Sequence, residues 1–195
     1  MSEPAPPSKA GMSRSNRRTL VLLALVTVAP VVASYAAFYW FPREKQANYG
    51  ELLPTQPAPE LAGTTPGGAA FRLSELRGKW VLVVAVAGAC DRACMQTLYA
   101  TRQARTIQGR EMERVVRLLV VTDADGAPAA SLAGEHPDLV TARVAPGALA
   151  AWPAGDDRVY LVDPLGNLVL AYPRDPDIKA MAKDVTRLLK ASRIG

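Results

Sequence analysis

Charge, cysteine and histidine are all scarce where they would decide function. The chain has 195 residues and a formal net charge of +5, of which +3 falls in residues 1–42 and only +2 in all the rest. A near-balanced remainder offers no basic patch to a phosphate backbone, which excludes nucleic acid as a partner. There are two cysteines, Cys90 and Cys94, so any thiol chemistry is confined to one place. There is a single histidine, His136, and no internal repeat. From Thr19 to Phe41 charge is missing altogether.

That uncharged run is 23 residues long. As a helix it covers roughly 34 Å, enough for a bilayer core. Arg14, Arg17 and Arg18 precede it and by the positive-inside rule stay cytoplasmic. Tyr35, Phe38, Tyr39 and Trp40 form an aromatic belt at its far end. The rival reading is a cleaved signal peptide, with Ser34-Tyr35-Ala36 as a small-x-small site. The length of the run and its four aromatics favour a retained anchor. Either way, the chain after about Arg43 is exported, and the expected location is a bacterial-type inner membrane with a periplasmic C-terminal domain.

Composition then divides the chain into a disordered cytoplasmic segment over 1–18, the transmembrane anchor over 19–41, a Pro-rich tether over 42–66 and a folded domain over 67–195. The prolines of the tether are Pro42, Pro54, Pro57, Pro59 and Pro66. Within the domain, 71–80 reads as a short strand, a turn of helix and a re-entry into a sheet. Trp80–Ala87 and Arg114–Thr122 are buried-type strands, with a helix over about Asp91–Gln108 between them. Arg92, Arg102 and Arg105 fall on the wet faces of that helix, and Arg102–Arg117 reads as a solvated, arginine-rich face. A short helix over Pro128–Gly134, a weak strand near Leu139–Val144 and a helical turn at Pro146–Trp152 come next. Arg158–Asp163 and Leu168–Tyr172 form a hairpin closed by Pro164-Leu-Gly-Asn167. An amphipathic helix from about Asp177 to Ser192 ends the chain. The order βαβ(α)β(α)ββα predicts an α/β, thioredoxin-like fold, a central mixed β-sheet flanked by helices, behind one N-terminal transmembrane helix. His136 then sits in a surface loop, at the end of the sheet away from Cys90.

The segment VLVVAVAGACDRAC (81–94) carries the candidate chemistry. A buried strand ends at Gly88-Ala89, which puts Cys90 at a helix N-terminus and Cys94 one turn further on the same face. Partial positive charge there favours thiolate over thiol, making Cys90 a nucleophile or a soft-metal ligand. Arg92 between them acts in the same sense. In an oxidising compartment such a pair is normally a disulfide. A structural staple is the bland alternative, although so short a loop constrains the unfolded chain little.

Phe71-x-Leu73, Leu76-x-Gly78-Lys79-Trp80-Val-Leu-Val, Cys90-x-x-x-Cys94, Leu119-Val-Val-Thr-Asp123 and Tyr160-Leu-Val-Asp-Pro-Leu-Gly-Asn167 together resemble the Sco (SenC) family, over roughly Leu61–Leu189. Those are membrane-anchored, thioredoxin-fold factors for assembly of the copper centre of cytochrome c oxidase. The resemblance implies protein thiol clients, an oxidase subunit or a copper chaperone, and copper(I) as a metal that Cys90 and Cys94 would hold. This chain departs from the family in two respects, the first being that the family's usual Asp/Pro motif within the CxxxC gives way to Asp91-Arg92-Ala93. The family's third ligand, a histidine just before the strand matching Arg158–Asp163, is replaced by Trp152-Pro-Ala-Gly-Asp-Asp-Arg158. Copper(I) can be held by two thiolates, with Met95 as a weak third ligand unless it is simply core, whereas copper(II) is left without an imidazole. Asp156 and Asp157 occupy the vacated stretch, as proton acceptors or as a solvated strand start.

Three functional readings follow. The first is thiol–disulfide exchange in oxidase assembly, with no cofactor required. The second is a copper(I) metallochaperone with a two-thiolate site, and the third is a non-catalytic scaffold with a structural disulfide. A peroxidase role ranks last, because the Thr/Pro–Cys signature of peroxiredoxins is missing before Cys90.

Overall fold

A computed structural model describes residues 14–40, 48–86, 90–122, 132, 134–153 and 158–192. It divides into two compact units, Met1–Ala47 and Asn48–Gly195. In the first unit, α1 runs from Arg14 to Trp40 and contains Pro30. Its stretch Asn16–Ala36 has a mean hydropathy of 2.1 and none of it is buried, so it is long and apolar enough to cross a membrane. Thr27 turns its hydroxyl back onto the Leu23 and Ala24 carbonyls, which satisfies its polar group inside the helix.

The second unit is built on one eight-stranded sheet. Its strands are β1 (Glu51–Pro57), β2 (Ala62–Thr64), β3 (Ala70–Arg72), β4 (Trp80–Val86), β5 (Val115–Val121), β6 (Leu139–Val144), β7 (Val159–Val162) and β8 (Asn167–Tyr172). They lie in the order β1-β8-β7-β4-β5-β6-β2-β3. Strand β4 is parallel to β5 and antiparallel to β7, so the sheet is mixed. Helices α2 (Arg92–Thr106) and α3 (Ile178–Ala191) are the longest of this unit among the described residues.

Every residue of β4 is buried, which is why its sequence is a continuous apolar run and not an alternating one. The pleat nonetheless divides its side chains. Trp80, Leu82, Val84 and Val86 join Leu98, Ala104, Met181, Val185 and Leu189 beneath the two helices. Val81, Val83 and Ala85 face the opposite layer, with Leu61, Phe71, Leu149, Trp152 and Tyr160. The 139–144 strand, the 158–172 hairpin and the final helix all form where the sequence predicts them. Asp163 closes the hairpin by accepting from the Leu165 and Asn167 amides at 2.9 and 2.7 Å, and Gly166 supplies the positive φ of 91°. The helix expected over Pro128–Gly134 falls mostly outside the described residues, as do Asp156 and Asp157.

The expected tether over 42–66 is corrected within the described residues. Residues 51–57 pair antiparallel with β8, and 62–64 lie between β3 and β6. Prolines at 54 and 57 disguise β1, and they are tolerated because it is an edge strand, where a missing N–H breaks no ladder. The register of β1 against β8 shifts between Leu52 and Gln56, so Pro54 sits in an irregular stretch. Gly63 is required by close approach, since a Cβ there would lie 1.9 Å from the Arg143 carbonyl oxygen of β6.

The start of the sheet is tied down by one carboxylate. Asp184 of α3, buried, accepts from the Tyr49 and Gly50 amides at 2.8 and 2.9 Å. Both amides belong to the turn that leads into β1. Replacing it leaves two donors without their acceptor, so Asp184→Ala should cost about 1–3 kcal/mol. Urea unfolding of the 48–195 unit reads this, and an unchanged midpoint would refute the anchoring role.

Candidate functional site

The site lies where β4 runs out at the C-terminal edge of the sheet. Cys90 is half-buried and Cys94, in the first turn of α2, is 1% exposed. A disulfide joins them across a Cα–Cα distance of 5.2 Å. The two sulfurs are therefore not equivalent, because an incoming group has access to Cys90 and not to Cys94.

Asp91 explains why the helix begins here. Its backbone is extended, and its carboxylate caps the helix by accepting from the Cys94 amide at 2.8 Å. Arg174 donates to the same carboxylate oxygen at 2.7 Å. The hydrogen bond from the Cys94 N–H holds the Asp91 carboxyl below its usual range; desolvation opposes it, and the hydrogen bond and charge of Arg174 add to the lowering. Thr97 strengthens the junction by donating to the Ala93 and Arg174 carbonyls. The loop after β8 is thus fastened to the first turns of α2 beside the disulfide. Arg174 carries no motif in the sequence. Topology is what delivers it, since β8 runs parallel to β4 through the intervening antiparallel β7 and ends at the same edge.

The other expected site residues distribute unevenly. Arg92 is exposed at the start of α2. Met95 is half-buried and packs against the core under the helices, in keeping with its bland reading. His136 precedes β6, whose first residue, Leu139, is level with Arg117 and Leu82 near the start of β4. It therefore lies towards the end of the sheet remote from Cys90, as expected. It is not a surface residue, however, being 4% exposed, and Nδ1 lacks a hydrogen-bond partner among the described residues. Burial first, and then the charges of Arg117 and Arg102, push its pKa down, while Glu135 and Asp138 oppose this.

The solvated arginine face is corrected at three positions, the first being Arg114, whose Nη1 and Nη2 donate to the Leu189 and Ser192 carbonyls at 3.2 and 2.9 Å. Arg105 donates Nε to the Val115 carbonyl at 2.7 Å and Nη1 to Asp138 at 2.9 Å. Arg117 is completely buried. It shares the phase of Val115, Leu119 and Val121, which all face the helices, and that phase is the signal that marks it as an inward residue.

For copper as cargo, the donor set comprises two sulfurs now bonded to each other. No group of three or more His, Cys, Asp and Glu residues gathers among the described residues. The sole imidazole lies too far along the fold to serve as a nitrogen ligand beside Cys90.

A mixed sheet with helices packed against it, and a cysteine pair at the junction of its central strand with the following helix, defines a thioredoxin-like protein. The chain belongs to the transmembrane-like, thioredoxin-like family, whose C-terminal domain model matches residues 80–192. Apo Sco1 from Thermus thermophilus has the same fold at 24% identity, covering 76% of this chain and 99% of that one, with a TM-score of 0.56. Copper-bound yeast Sco1 is 17% identical over 71% of this chain and 91% of that one, TM-score 0.59. A putative protein disulfide isomerase from Bacteroides thetaiotaomicron is 18% identical over 73% and 94%, TM-score 0.53. The resemblance to Sco proteins is thus met in the fold. A search of curated proteins found no match.

Two outcomes follow from this geometry. Asp91→Asn retains an acceptor for the cap but loses the ion pair to Arg174, so it should lower the thermal midpoint less than Asp91→Ala does; equal losses would count against capping. For His136 the folded pKa lies below the ordinary 6.5, so the folded state binds fewer protons than the unfolded chain. Its neutral form contributes stability at neutral pH that is lost as pH falls below about 6.5. Stability measured against pH should show this slope in the wild type and a shallower one in His136→Gln.

Proposed function

We propose that this chain is a membrane-anchored, exported thiol–disulfide exchange protein in which Cys90 is the attacking sulfur and Cys94 the resolving one. The observation that carries the reading is the unequal exposure of the two cysteines at a helix N-terminus. In the reduced protein the Cys90 thiolate attacks a client disulfide. A new S–S bond forms, and the client's second sulfur leaves as thiolate. Cys94 then loses its proton and attacks Cys90 Sγ, releasing the client's first sulfur. The client gains two electrons and the chain returns to the disulfide seen here; a dithiol donor must reduce it for another cycle.

The segment over 19–41 serves as the anchor, with the N-terminus cytoplasmic and the 48–195 unit periplasmic at a bacterial-type inner membrane. The three arginines before the apolar run support that orientation. Its clients are protein thiols in assembly of the copper centre of cytochrome c oxidase, an oxidase subunit or a copper chaperone. That destination rests on the likeness to Sco proteins. A copper(I) chaperone with two thiolates is the second reading, favoured by the copper-bound state of the yeast Sco1 and Bradyrhizobium japonicum ScoI structures that share the fold.

The midpoint potential of the 48–195 unit, measured with and without copper(I), separates them. Exchange predicts a metal-free value between about −150 and −280 mV that copper(I) leaves unmoved. A large copper-dependent shift, together with stoichiometric copper(I) binding that Cys90→Ser abolishes, would transfer the function to the chaperone. A value below about −300 mV would make the bond a structural staple and refute exchange.

A further inference from the structure

The disulfide is one of two ties on the segment 90–94, and the second involves no sulfur. Oδ1 of Asp91 accepts from the Cys94 amide at 2.8 Å and from Arg174 Nη2 at 2.7 Å. The Asp91 carbonyl accepts from the Met95 amide at 3.0 Å. Behind the guanidinium, the Arg174 carbonyl accepts from the Thr97 hydroxyl in the second turn of α2. Thr97 is buried, so water does not compete for that bond, and the loop carrying Arg174 is held firmly. Arg174 thus meets the start of α2 at two points, and its side chain grips the residue next to Cys90.

With the disulfide closed, Cys90 is joined covalently to α2 across a Cα–Cα distance of 5.2 Å. With it open, the Asp91–Arg174 pair is the tie that remains on this segment. Two ties on one segment support each other, because each forms at lower entropic cost once the other is in place. Such coupling is reciprocal. An ion pair that is firmer when the sulfurs are joined must favour their joining to the same degree.

We propose that Arg174 is a positioning residue for disulfide closure, acting through Asp91 to keep Cys90 within reach of Cys94 in the dithiol state. It thereby raises the effective molarity of one sulfur towards the other. The inference rests on the exchange reading, in which Cys94 must reach Cys90 Sγ to release the client. Cys94 is buried in the first turn of α2 and does not move out to meet its partner, so closure depends on where the Cys90 segment is held.

The full-length chain in non-ionic detergent would be equilibrated with dithiol–disulfide buffers. Two electrons and two protons pass from the protein dithiol to the buffer disulfide, and maleimide labelling reads the fraction oxidised. The ion pair is partly exposed, 36% at Arg174 and 57% at Asp91, so its effect is modest. In Arg174→Met the effective molarity should fall about threefold, which at 29.6 mV per tenfold makes the potential about 14 mV less negative. Arg174→Lys keeps the charge without the planar fork and should recover part of the difference. Arg158→Met is the control. Its pair with Glu51 has nearly the same exposure, 36% and 63%, and includes no residue of the cysteine segment, so the potential should stay in place. By the same linkage, Arg174→Met should lower the thermal midpoint more in the oxidised chain than in the reduced one. An unmoved potential, a shift to more negative values, or an equal shift in Arg158→Met overturns the proposal. A wild-type potential below about −300 mV would refute exchange instead, and the difference between variants would still test the clamp. Should Arg174→Met not fold, Arg174→Gln carries the same expectation and the same refutations.

Discussion

Burial of β4 on both faces is the constraint on which the rest of the second unit depends. A strand with no solvent-facing side must place its backbone groups on two neighbours and its side chains in two separate cores. Strands β5 and β7 satisfy the first demand. The helices on one side, and the layer built from Leu61, Phe71, Leu149 and Trp152 on the other, satisfy the second. Each buried Val or Leu contributes about 1.5–3 kcal/mol, so the position of the strand is fixed more firmly than that of any loop. The chain then has one exit, the C-terminal edge, and Cys90 stands there.

The cysteine junction inherits its order from this exit, and it does not rely on the covalent bond alone. The Asp91 carboxylate caps α2, Arg174 holds that carboxylate, and Thr97 ties the Arg174 backbone to the helix. None of these contacts involves sulfur. The loop therefore has a reason to keep its shape when the disulfide opens, and a dithiol that exchanges electrons without refolding its surroundings works with little reorganisation.

Legibility in the sequence followed the hydrophobic pattern closely. Strands β4 and β5, the 158–172 hairpin, the last helix and the cysteine junction all announce themselves through unbroken apolar runs, turn residues or 3.6-residue spacing. What escaped was whatever broke that pattern for a tertiary reason. Strand β1 is hidden by Pro54 and Pro57, and β2 is three residues long with a glycine at its centre. Arg117 and His136 are polar residues in inward positions, where composition argues for solvent. Arg174 depends on a strand order that no local window contains. The acidic pair Asp156 and Asp157 lies outside the described residues.

The two outer strands of the sheet have a bearing on solubility. An open sheet of eight strands ends in two rows of unpaired backbone groups, and such rows recruit strands from other molecules. Here one border is β1, where two prolines each remove a donor and the irregular register interrupts the row. The opposite border, β3, is only three residues long and gives a foreign strand little to hold. The prolines that disguise β1 in the sequence therefore guard its free side against self-association.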